Sequence, residues 1–193
     1  KQHSSMAVRL VFAHLRDAVA ATANMRNLGG GQGQGCNFEA GDRYSNQRRV
    51  AHQLVMYGFL LCFASTSSGT VLHYGFGLEA PYGLFSLPKL LGLPGGFLLT
   101  IGAGWLIRLK LQSDRDLGAA SAWGGEVAFV LLLGLTGLTG LALYAATGTA
   151  LVGPLLAIHL GTVLTFFLTT PYSKMVHGFY RLAALIRDAQ VRL

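Results

Sequence analysis

Six histidines punctuate the chain, and four of them, His52, His73, His159 and His177, fall within two apolar runs or at their ends. Ionisable side chains at membrane depth are costly and tend to be kept for function. Imidazole can ligate a metal or carry a proton, so those are the two chemistries to test. His3 and His14 lie outside the apolar runs and need no ligand role.

Four apolar segments can carry these residues, at about 51–77, 92–109, 126–146 and 151–170. Each approaches the roughly 20 residues that cross about 30 Å of hydrocarbon at about 1.5 Å per residue. The second is the shortest and follows Pro88 and Pro94, so its outer end is expected to be irregular. Pro171 is expected to end or kink the fourth before a basic tail that reaches Arg192. Ahead of the first, residues 5–27 place Met6, Leu10, Ala13 and Val19 at helical spacing among Arg9, Arg16, Asp17 and Arg26, the pattern of an amphipathic surface helix. The run Gly29-Gly30-Gly31-Gln32-Gly33-Gln34-Gly35 then breaks the helix as a loop. It lacks the strand and the Lys-Ser/Thr of a phosphate loop.

The expected fold is therefore an all-α membrane protein: a four-transmembrane-helix bundle with an N-terminal amphipathic helix and a cytoplasmic C-terminal helical extension. Its parts are residues 1–50, the helix and glycine loop; 51–178, the membrane domain; and 179–193, the basic tail. Arg43, Arg48 and Arg49 precede the first segment, Arg108, Lys110 and Arg115 follow the second, and Lys174, Arg181 and Arg187 follow the fourth. Basic residues mark cytoplasmic ends. Both termini are expected inside.

This topology levels the histidines in pairs: His52 with His177 at the inner side, His73 with His159 toward the outer side. His159 and His177 are 18 residues apart, which on a regular helix returns them to one face about 27 Å apart. His52 and His73 are 21 apart and about 60° out of register, which requires a tilted, coiled or distorted helix. Two imidazoles from facing helices can clamp a haem iron from both sides and leave no position open for substrate. Such a site moves electrons. Gly58, Ala64, Ser65, Ser67, Ser68, Gly69, Gly134, Gly137, Gly140 and Gly161 can make room for two macrocycles, or serve close helix packing. Arg43, Arg48, Arg49, Lys174 and Arg181 can pair with haem propionates near the inner level, or simply anchor the inner side. Tyr74, Tyr82 and Lys89 have the same two readings on the outer side, as haem contacts or as an interfacial belt.

Composition agrees with a membrane protein. Of the 193 residues, 52% are hydrophobic and only 12% charged, with a mean hydropathy of +0.46, unlike a soluble domain. The net charge of +7 is spent beside apolar runs, so no nucleic-acid role is expected. Cys36 and Cys62 are the two cysteines, too few for a four-thiolate iron–sulfur site, so any cluster belongs on a partner or on a longer polypeptide of which this is the tail. No signal peptide is visible.

The stretch Arg26-Asn27-Leu28-Gly29-Gly30-Gly31, with Gly35-Cys36-Asn37-Phe38, Asp42-Arg43, Arg48-Arg49, His52 and the run from Met56 to Thr66, resembles the membrane part of the tricarballylate/citrate-utilisation protein B family. The membrane portion of CobZ-type proteins is similar. The resemblance continues through Ala80-Pro81-Tyr82, Leu87-Pro88, His159-Leu160-Gly161 and the run from Pro171 to Arg181, so it covers most of the chain. It implies a haem b anchor in a bacterial cytoplasmic membrane. That anchor would take electrons from a flavoprotein dehydrogenase through iron–sulfur clusters and pass them toward quinone. The 18-residue spacing also looks like that of the haem-ligating helix in respiratory nitrate reductase gamma subunits. Family members usually carry an N-terminal cysteine-rich ferredoxin-like region, which these residues lack.

The expected function is a dihaem b electron-transfer subunit, with substrate chemistry elsewhere. Two rivals are a haem-free scaffold in a membrane complex, which would show no haem absorption, and a histidine-based proton or solute transporter. The latter needs polar residues between the two histidine levels, where Phe63, Phe166 and Phe167 fall.

Overall fold

The computed structural model describes residue 16 and residues 19–25, 38–39, 43–112 and 120–191. Of the expected N-terminal amphipathic helix, residues 16 and 19–23 are helical and 24–25 form a turn; the rest of it, the glycine loop, Cys36 and Arg115 lie outside the described residues. A short antiparallel ladder, β1 (Phe38–Glu39) with β2 (Arg43–Tyr44), precedes the membrane domain.

Four long helices follow: α1 (Gln47–Phe76), α2 (Leu87–Gln112), α3 (Ala120–Ala145) and α4 (Val152–Thr169). Two three-residue 3-10 turns, Thr170–Tyr172 and Lys174–Val176, lead to α5 (His177–Val191). Among the described residues four helical stretches are long and apolar enough to cross a membrane: Gln47–Phe76, Leu87–Gln112, Trp123–Ala145 and Val152–Tyr172. Several hydroxyls at that depth bond back to their own helix. Thr66 donates to the Cys62 carbonyl, Thr136 to Leu132 and Thr165 to Gly161, so none needs water.

α1 ends because Gly77 takes a left-handed φ of 66°. Its N–H donates to the His73 carbonyl at 3.1 Å, the closing bond of the αL motif, and the Leu78 N–H donates to that of Leu72 at 3.1 Å. α2 is longer than hydropathy suggested. Pro88 falls in its first turn, where a missing N–H costs nothing, and Pro94 is carried inside the helix.

Successive helices pack on one another in order, α1 on α2, α2 on α3, α3 on α4, whereas α1 and α4 make no comparably close backbone approach. Glycine sets the first of these contacts. A Cβ on Gly58 would stand 2.4 Å from the Leu99 amide nitrogen, one on Gly95 would stand 2.9 Å from that of Cys62, and one on Gly102 would stand 2.8 Å from that of Val55. On the α2–α3 side a Gly137 Cβ would reach Thr100 Oγ1 at 2.7 Å, and a Gly134 Cβ would reach the Ala103 methyl at 3.1 Å. Gly58, Gly134 and Gly137 thus let backbones meet, as small residues do in membranes, and their first task is packing. The core they close comprises Val55, Leu99, Ala103, Leu133 and Phe166.

The fourth segment differs most from a regular helix. Pro171 falls in the first 3-10 turn, and Ser173 is extended with ψ of 173°, so the chain turns before α5 starts at His177. His159 and His177 therefore do not share one helix. The in-line spacing expected of them is replaced by a break that re-aims His177.

Candidate functional site

The pair expected at the inner side is brought together. His52, half-buried in the second turn of α1, faces His177 at the start of α5, with ring centroids 6.0 Å apart and planes at 89°. Two metal–imidazole bonds of about 2 Å, with about 1 Å more on each side to the ring centre, need roughly 6 Å. Crossed planes are no obstacle, since each ring can turn about its own metal–nitrogen axis.

Hydrogen bonds prepare one ring for this. His177 Nδ1 contacts the Lys174 carbonyl, which can only accept, so Nδ1 carries the proton and Nε2 keeps its lone pair. That is the usual outer contact of a ligating histidine. His52 Nδ1 is buried with no protein partner, and an unpaired buried polar atom costs about 1–3 kcal/mol. Among the described residues no group of three or more His, Cys, Asp or Glu could hold a bare metal ion. Axial ligation of a porphyrin iron asks the protein for only two ligands.

Charges gather at the same level. Glu126 Oε2 accepts from Lys110 Nζ at 2.5 Å, and its Oε1 accepts from Lys174 Nζ, tying the end of α2, the first turns of α3 and the turn before α5. Arg181 lies within electrostatic reach of His52. Arg49 Nη2 donates to the Asn24 carbonyl at 2.7 Å, and Tyr57 Oη donates to that of Ala23 at 2.8 Å, so residues 19–25 lie against the start of α1. Of the five basic residues expected to meet propionates, Lys174 is engaged by Glu126 and Arg49 by Asn24, while Arg181 is exposed beside the pair. Arg48 is half-buried in the first turn of α1, and Arg43 stands on β2.

The outer residues are arranged differently. His159 is half-buried near the start of α4, its Nδ1 3.0 Å from Thr139 Oγ1. Thr139 donates its single hydrogen to the Leu135 carbonyl at 2.7 Å, which leaves its oxygen able to accept from His159 Nδ1–H. The ring lies against Gly140, whose added Cβ would stand 3.1 Å from Cε1. His159 opens onto a cavity of about 350 Å³ between the four helices, walled by Phe59, Phe63, Leu99, Leu133, Phe166 and Phe167, with Lys89 and Tyr144 at its rim. Lys89 Nζ stands 5.0 Å from the Tyr144 ring centre. His73, in the last turn of α1, is exposed, its ring edge-on to Tyr74 at 4.8 Å and outside that wall. The structure thus joins His52 to His177 but does not bring His73 to His159.

Sequence reasoning missed Glu126, Thr139 and the Lys89–Tyr144 contact. The first had a signal: it is the lone acid in the third apolar run. Thr139 had none, because a hydroxyl on an apolar helix is ordinary.

Four helices long and apolar enough to cross a membrane define the class, a multi-pass helical membrane protein, and one pair of imidazoles, His52 and His177, is brought together in it. The family described as citrate utilization protein B matches residues 2–192, and the chain belongs to it. It is 45% identical over 177 residues to the Escherichia coli protein named Citrate utilization protein B, a match that covers 92% of this chain. The chain spans about half of that relative, 46% of its length. No solved structure matches.

Proposed function

We propose that the chain is a b-type dihaem electron-transfer unit that takes electrons from a flavin and iron–sulfur dehydrogenase partner and passes them to the quinone pool. It would do so in the cytoplasmic membrane of a bacterium, with both termini inside. The family name points to citrate utilisation, and substrate chemistry would occur on the partner. The observation that carries the reading is the facing of His52 and His177 at 6.0 Å in a bundle whose first and fourth helices stand apart.

His52 and His177 would hold the inner haem, and His73 and His159 are proposed for the outer one. Bound there, haem supplies a one-electron couple whose potential follows axial ligation and burial. The protein's share is to hold, orient and exclude water. Lys174 and Thr139 accept from the Nδ1 hydrogens of His177 and His159, and Arg181, Arg48 and Arg43 supply positive charge for propionates. Between the two levels Phe59 and Phe129 meet Phe166 at 5.5 and 6.0 Å, and Phe167 meets it at 5.4 Å. That apolar stack lends little support to the transporter reading.

A dithionite-reduced minus oxidised visible spectrum of the purified protein tests the reading, with a quinone analogue added afterwards. Reduced b-type bands that the quinone bleaches are expected. A folded protein without such bands would leave the haem-free scaffold in its place.

A further inference from the structure

Glu126 is a carboxylate at the edge of a membrane span, and it holds two cations from different elements, Lys110 of α2 and Lys174 of the 3-10 turn before α5. Lys174 has a second task. Its carbonyl faces both the backbone N–H and the Nδ1 of His177. That turn is only three residues long, so it has little regular hydrogen bonding of its own. It is fixed from outside, at its start by Ser173 Oγ, which accepts from the Met175 N–H at 3.2 Å, at Met175 by packing on the core, and at Lys174 by Glu126.

We infer that Glu126 is a positioning residue for the inner haem ligand: by gripping Lys174 it holds the carbonyl that sets the tautomer and direction of the His177 ring toward His52. The inference rests on the proposed haem function. The carboxylate touches neither imidazole. Its grip is passed through one lysine, whose side chain is held at one end while its carbonyl orients the ring at the other. Groups bonded directly to a ligating histidine change metal affinity about 10- to 100-fold when removed, and Glu126 acts one step further out, so the low end of that range is expected.

The test uses the full chain in detergent and compares Glu126→Gln, Glu126→Asp and Lys174→Met with wild type. Three readouts are taken: haem release to excess apomyoglobin, the low-spin electron paramagnetic resonance signals, and the midpoint potential of each haem. Glu126→Gln and Lys174→Met are expected to speed release of one haem about tenfold or more and to shift its signal and potential, leaving the other haem unmoved. Glu126→Asp should restore much of the wild-type behaviour. Should Glu126→Gln fail to fold, Lys174→Met carries the test, since Met175 still anchors the turn. Wild-type signals and release rates in both charge-removing variants would overturn the role of Glu126 while leaving the haem function standing. An equal loss of both haems would also overturn it, as a purely structural effect. A haem-free wild type would sink the proposed function itself.

Discussion

The rings of His52 and His177 face one another with centroids 6.0 Å apart and planes at 89°, although most of α1 and all of α2, α3 and α4 separate them along the chain. The contact depends on two local events. α1 starts early enough for His52 to sit one turn inside it, and the Pro171–Ser173 break lets α5 begin on His177.

Removing either member of this pair should cost one haem and spare the other. His52→Ala and His177→Ala are each expected to halve the haem per chain, read from absorbance against protein concentration. An unchanged haem content in both variants would dissociate the pair from ligation.

On the outer side, Gly140 is the sensitive position because its Cβ would already stand 3.1 Å from His159 Cε1. Gly140→Val should displace the imidazole and remove the outer haem alone, as should His159→Ala or His73→Ala. Thr139→Val keeps the shape but deletes the acceptor for Nδ1–H, so outer haem affinity should fall about 10- to 100-fold, measured by release to apomyoglobin.

Helix packing gives a prediction independent of haem. Gly58→Ala forces a methyl group to within 2.4 Å of the Leu99 backbone and should destabilise the bundle by about 1–3 kcal/mol. Gly161→Ala, where nothing lies within 4 Å, should be close to neutral or slightly stabilising through helix propensity. Unfolding in mixed micelles, followed by circular dichroism, separates the two.

Much of this architecture can be read from the chain, and the exceptions have physical causes. The four apolar segments and the level pairing of His52 with His177 follow from hydropathy and the placement of Arg48, Arg49, Lys174 and Arg181. Hydropathy gives α2 too short a span because Pro88 and Pro94 read as breakers, although a first-turn proline gives up no helical bond and glycines let α2 pack on both sides. The geometry of the fourth segment was less legible. Pro171 marks a break, but the direction taken after it depends on Ser173 being extended and on Lys174 reaching Glu126, neither of which periodicity encodes. The glycines were ambiguous for a related reason: only the approach of a second backbone distinguishes Gly58 from Gly161.

Orientation in the membrane is checked by fusing a reporter after Leu193. A fluorescent protein there should be bright and a phosphatase inactive if the basic end is cytoplasmic. The reverse pattern would invert the topology and move the His52–His177 pair to the other face.

The most direct measurement is the pyridine haemochrome content of the full chain, purified in detergent and verified as folded. Close to two b-type haems per chain is the expected result, and a folded protein with none would contradict the central claim.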